Sequence, residues 1–201
     1  MAAYDGSLAN GTRTGALGLH PLFHNDGGTF LIGEVDKSWT LAPSELAGRI
    51  VFGGWYSTNH VTRLDGGRVT GTGGPYALLE QCLWRANAKD TNDSRGVNIF
   101  LMYGYADPTI LPYDHSAGGG VSWTGPIPGR DDDVCGFGVQ AIHFDGAYDP
   151  KSEYEVSYEL FYRVQLKPWF YVKPDVQYIA NPGGKGTPDA LAVTIRVQIS
   201  F

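Results

Sequence analysis

Between Ala190 and Phe201 the residues alternate without a break. Leu191, Val193, Ile195, Val197, Ile199 and Phe201 fall on one face, and Ala190, Ala192, Thr194, Arg196, Gln198 and Ser200 on the other. A period of two is the signature of a β-strand with one apolar and one polar face. This strand also outruns the roughly five or six residues usual in soluble proteins. Its apolar face must meet either a second protein layer or lipid.

The segment Glu153–Leu166 repeats the pattern. Tyr154, Val156, Tyr158, Leu160, Tyr162, Val164 and Leu166 oppose Glu153, Glu155, Ser157, Glu159, Phe161, Arg163 and Gln165, with Phe161 the one misfit. Phe170, Val172, Pro174, Val176 and Tyr178 then oppose Tyr171, Lys173, Asp175 and Gln177. Pro174 cannot donate to a ladder, yet the alternation continues through it. Further strands are expected near 28–40, 47–59, 75–86, 96–107, 115–125 and 132–145. Val97, Ile99, Leu101, Tyr103 and Tyr105 form an apolar row, whereas Gly118, Gly120 and Ser122 are too small to fill a sandwich core. The chain reads as one domain: a stub strand at Met1–Tyr4 and a long loop over 1–27, then a strand meander over 28–201.

The connections alternate in character. Those at 40–47, 86–96, 125–132 and 166–169 read mostly as short turns. The other set carries Asx-Gly and Gly-Gly pairs and includes the longest connections, 6–27 and 60–74. Short turns at one end and longer loops at the other characterise an outer-membrane barrel. Aromatic residues sit near strand ends at Trp39, Trp55 with Tyr56, Trp84, Trp123, Trp169 with Phe170, Tyr178 and Phe201, as interfacial girdles require. A soluble antiparallel sandwich is the alternative, and it explains the alternation but not the strand length.

Composition agrees. Glycine supplies 28 of 201 residues, and a net charge of −6 argues against nucleic acid as a partner. No stretch approaches the about 18 consecutive apolar residues of a membrane-spanning helix, but barrels hide their apolar surface in alternate positions. The start, Met1-Ala2-Ala3-Tyr4-Asp5, has neither a basic region nor an apolar core and does not read as a signal peptide. Bacterial single-chain barrels have even strand numbers, and an open sheet leaves unpaired backbone groups in lipid. Nine strands and a stub therefore suggest part of a longer protein. A small closed barrel of ten strands, with a structural or surface-binding role, is the alternative.

Phe52-Gly-Gly-Trp-Tyr56, Gln81-Cys-Leu-Trp-Arg85, Gly125-Pro-Ile-Pro-Gly-Arg-Asp-Asp-Asp133, Pro174-Asp-Val-Gln-Tyr-Ile179 and Asn181-Pro-Gly-Gly184 resemble the OprB-type carbohydrate-selective porins, from about residue 28 to Phe201. The resemblance implies a sixteen-stranded antiparallel transmembrane β-barrel in the outer membrane of a Gram-negative bacterium, of which this chain holds the C-terminal nine or ten strands. It implies passive diffusion of sugars, no cofactor and no catalysis. Contacts with outer-membrane lipids, with the assembly machinery through the strand ending in Phe201, and between copies of the chain belong to the same expectation.

The candidate pore-lining residues are Glu155, Glu159, Arg163, Lys173, Asp175, Gln177, Arg196 and Gln198, the polar row of the last three strands. Cross-strand pairs such as Glu159 with Lys173, or Asp175 with Arg196, would stiffen that row. Asp131, Asp132 and Asp133 offer calcium-type oxygens, but a solvated turn with local Arg–Asp pairing accounts for them better. His20 and His24 have helical metal-ligand spacing beside a Pro21 that disfavours the helix. Cys82 and Cys135 fall on strands with two others between them, which disfavours a disulfide. Gly71-Thr-Gly-Gly74 reads as a loop. Glu153, Glu155 and Glu159 share a face and would suit an outer-membrane enzyme, although charge on a wet wall needs no reaction to explain it.

Overall fold

The computed structural model describes residues 1–5, 28–87, 90, 93–145 and 153–200. They form one antiparallel sheet in which each strand pairs with its neighbours in sequence. The strands are β1 (Ala2–Asp5), β2 (Thr29–Leu41), β3 (Leu46–Thr62), β4 (Arg68–Arg85), β5 (Gly96–Tyr105), β6 (Tyr113–Thr124), β7 (Val134–Phe144), β8 (Tyr154–Lys167), β9 (Phe170–Ala180) and β10 (Ala190–Ile199). The stub at the N-terminus is therefore a real strand, paired to β2 through Ala2 with Ile32 and Asp5 with Thr29. The order runs from β1 to β10 with those two strands at the edges.

Among the described residues the sheet has no second layer. Among the described residues only Val51, Cys82 and Ala106 are buried apolar side chains. Leu160 is 60% exposed, Leu191 69% and Ile195 71%. This overturns the sandwich alternative, whose defining feature is an apolar face sealed against another sheet. An exposed apolar face of this extent requires an apolar surrounding.

Register carries one set of residues across the whole sheet. Val193 pairs with Val176, Val176 with Leu160, Leu160 with Phe137, Phe137 with Val121, and Val121 with Ile99. These belong to the apolar face, and the intervening positions form the polar face. Pro174 pairs with Ile195 of β10, while the ladder to β8 passes from Asp175 to Val172 without it. A residue lacking an N–H is thus placed where one ladder already skips.

Two expectations need correction. The 60–74 segment is not a long connection: β3 runs to Thr62 and β4 starts at Arg68. Gly71–Gly74 lies within β4, paired to β3 with a register shift between Ser57 and His60. The β-forming residues Val69, Thr70 and Thr72 beside those glycines carry the ladder outward, and only 63–67 turns. The Trp55–Tyr56 pair also divides. Tyr56 pairs with Leu31 on the apolar face, whereas Trp55 pairs with Ile32 on the polar face and stacks on Phe30 at 5.9 Å. His20, His24 and Phe201 lie outside the described residues.

Candidate functional site

All eight candidate residues lie on the polar face, because each occupies an alternate position of β8, β9 or β10. Glu159 pairs in register with Gln177, Asp175 with Thr194, Lys173 with Arg196, and Tyr171 with Gln198. The expected Glu159–Lys173 pair is formed, with Nζ to Oε1 at 3.0 Å, and Gln177 Nε2 donates to the other Glu159 oxygen at 3.4 Å. Tyr171 donates its hydroxyl proton to Gln198. Arg163 lies over the Tyr171 ring at 5.5 Å and donates to the Asp132 carbonyl at 3.3 Å.

The expected Asp175–Arg196 pair is not formed. Thr194 stands opposite Asp175 and donates its hydroxyl to that carboxylate, which is 4% exposed, while Arg196 stands opposite Lys173. A register shift of two residues separates the expectation from the structure, and alternation alone cannot fix register. Glu155 faces the same way but serves the chain itself, accepting the Gly183 N–H at 2.7 Å and so holding the 181–189 connection.

Phe161, the misfit in the alternation, has a structural explanation. Its ring lies over Gly136 of β7, where an added Cβ would meet Phe161 Cζ at 2.6 Å. Lys173 Nζ then covers the ring at 3.9 Å from its centre, a cation–π contact. Phe100 repeats the arrangement over Gly120 of β6, where an added Cβ would meet Phe100 Cε1 at 2.7 Å. A glycine on the neighbouring strand thus leaves the space that each of these rings occupies. The opposite end of the polar face holds Glu34, which accepts from the Tyr76 hydroxyl at 2.6 Å, and Asp36, 3.4 Å from Arg49. Sequence reasoning missed these groups on β2–β5. The readable signal was there: Asn98, Phe100 and Met102 are the complement of the Val97–Ile99–Leu101 row.

At the end of the sheet carrying the 125–133 turn, Asp133 is 1% exposed rather than solvated. Arg130 donates to both its oxygens, Tyr162 donates a hydroxyl at 2.7 Å, and the Gln165 N–H donates at 2.9 Å. Burial pushes this carboxyl up, but the donors from Arg130, Tyr162 and Gln165 together outweigh it and hold it below the usual carboxylate range. Arg130 thus holds the Asp133 carboxylate that a calcium reading would need. Nearby, Arg95 donates to Asp93 at 2.8 and 2.9 Å and reaches Asp131 at 3.5 Å, tying turn 86–95 to turn 125–133. Cys82 and Cys135 are free thiols on β4 and β7.

The family model for carbohydrate-selective porins of the OprB type matches residues 6–201. The chain belongs to the OprB family. It is similar to Porin B of Pseudomonas aeruginosa, 29% identical over 130 residues, a match covering 54% of this chain and 29% of that protein. The high-pH structure of Pseudomonas putida OprB superposes with a TM-score of 0.85 at 21% identity, over 99% of this chain and 54% of that one. The low-pH structure gives 0.60 at 24% identity, over 86% and 47%. This OprB-family chain therefore spans about half the length of the solved relatives, and their likeness shows a common barrel fold.

Proposed function

We propose that this chain forms part of the wall of an outer-membrane porin through which sugars diffuse passively. The observation that carries the reading is the coreless two-faced sheet: an exposed apolar face on one side, and on the other a continuous row of charged, amide and aromatic groups. The apolar face meets lipid, and the polar face lines a water-filled pore closed by strands of a longer polypeptide, sixteen in all. Open edges at β1 and β10 support that arrangement over a closed ten-stranded barrel, because unpaired backbone groups in lipid cost several kcal/mol each. Weak hydrogen bonds donated by Lys173, Gln177 and Gln198 or accepted by Glu159 exchange for water as a sugar passes, while Arg163 and Arg196 set the field. The chain acts in transport rather than catalysis, and its partners are sugars, lipids and the assembly machinery of a Gram-negative outer membrane.

The test uses the full-length parent porin in planar bilayers and liposomes, with conductance and glucose flux measured separately. Replacing Arg163 and Arg196 together by Gln should change ion selectivity and weaken block of the current by sugar. Unchanged selectivity and block in a normally assembled barrel would move the constriction to strands outside this chain. A wild-type barrel that conducts ions yet excludes glucose would overturn the sugar reading.

A further inference from the structure

Toward the end of the sheet that carries turns 42–45, 86–95 and 125–133, the polar face of β2–β6 forms an open hollow of about 760 Å³. Thr40, Arg49, Glu80, Asn98, Phe100 and Ser122 line it. Its size falls within the range of small-molecule sites, which are about 300–1,000 Å³. We propose that this hollow is a sugar subsite in which Phe100 is the stacking platform, an inference that rests on the porin reading and adds a location to it.

The choice of Phe100 follows from what covers each ring. The polar face of β5–β9 presents the rings of Phe100, Phe144, Phe161 and Tyr171, and Phe144 packs edge-on with Tyr113 at 6.5 Å. Lys173 covers Phe161 and Arg163 covers Tyr171, so neither offers its face to a solute. Phe100 is 42% exposed, lies over Gly120, and has no ring or cation contact among the described residues. Its ring touches the wall at Gly120 and lines the hollow.

The hydrogen-bonding groups around it are equally available. The side chains of Glu80, Asn98 and Ser122 make no hydrogen bond among the described residues. Arg49 holds only the exposed contact to Asp36 at 3.4 Å. Register sets Arg49 beside Glu80, Cys82 beside Asn98, and Asn98 beside Ser122, so donors and acceptors ring the platform. A pyranose with equatorial hydroxyls presents axial C–H groups on its flat face and hydroxyls around its edge. Its face matches the negative face of the Phe100 ring, and its edge matches carboxylate, amide, hydroxyl and guanidinium together. An open-chain polyol has the hydroxyls without the flat face.

The experiment measures block of ion current through the full-length parent porin by D-glucose and by mannitol. Wild type should be half-blocked at a lower concentration of glucose than of mannitol. Phe100→Leu, which keeps apolar bulk and removes the ring, should raise the glucose value about five- to tenfold, as expected for loss of one aromatic contact. Phe100→Tyr should restore it, and Phe161→Leu should leave it within about twofold. Equal glucose block in wild type and Phe100→Leu, with glucose flux intact, would overturn the subsite and leave the sugar pore standing. Absence of glucose block and flux in wild type would overturn the sugar reading and the subsite together.

Discussion

Asp133 fastens the 125–133 turn to β8, and its replacement isolates that contribution. The carboxylate is 1% exposed and accepts four hydrogen bonds, from Arg130 Nε and Nη2, Tyr162 Oη and the Gln165 N–H. A hydrogen bond to a charged group contributes about 1.5–3 kcal/mol, and bonds sharing one acceptor do not add. The Arg130 side chain, 40% exposed, returns to water when its partner is lost, whereas the Tyr162 hydroxyl and Gln165 N–H are left facing the vacated position. Asp133→Ala should therefore cost about 3–5 kcal/mol, Asp133→Asn about 2–3, and Tyr162→Phe about 1–2. Urea unfolding of the full-length barrel in lipid, followed by tryptophan fluorescence, reads these values. The pH dependence has a definite sign. A carboxyl held below its ordinary value contributes stability that is present above about pH 4 and lost as pH falls through the lowered value. Asp133→Asn should flatten that part of the acid profile. A variant within about 0.5 kcal/mol of wild type, or one with an unchanged acid profile, would refute the reasoning.

Three further outcomes follow from the two faces and the turns. Ile195→Arg should reduce assembly by about 2–4 kcal/mol in refolding titrations, and Arg196→Leu by much less, because only the first puts charge on the lipid side. Gly136→Ala should cost about 1–3 kcal/mol by driving a methyl into the Phe161 ring, and Phe161→Ala in the same chain should recover part of the loss; strict additivity of the two would contradict the packing. Asp93 is held at about 2 by hydrogen bonds from the Arg95 side chain and N–H, so protection of the Arg95 amide from hydrogen exchange should persist at pH 4 and fade toward pH 2, and Arg95→Gln should move that loss upward.

The β-character of the chain and the division into two faces were legible because period-two alternation is a property of residue order alone. Strand limits such as 96–105 and 154–167 fall close to expectation for that reason. The β3–β4 hairpin was not legible, since Gly71, Gly73 and Gly74 signal a turn in sequence yet sit in a ladder held by Val69, Thr70 and Thr72. Register was also beyond reach: a shift of two keeps every residue on its face but exchanges Arg196 for Thr194 as the partner of Asp175. The Gly-Arg-Asp-Asp-Asp run was visible as a motif. What it does depends on Tyr162 and Gln165, which come from β8, two strands on, and leave no local trace. Phe161 stood against the pattern because its support is a glycine on a neighbouring strand, a relation that only pairing reveals.

The central claim is that alternate residues of one strand face water and lipid, with sugar passing on the water side. It is tested most directly on β9, an interior strand, in a full-length porin carrying Cys82→Ser and Cys135→Ser. A cysteine is placed at Gln177 or at Val176, and a charged, membrane-impermeant methanethiosulfonate is added while single-channel current is recorded. Modification of Gln177→Cys should lower the current within seconds to minutes, and glucose should slow that reaction, while Val176→Cys should leave the current unchanged. Equal modification at both positions, or current loss with Val176→Cys alone, would contradict the account.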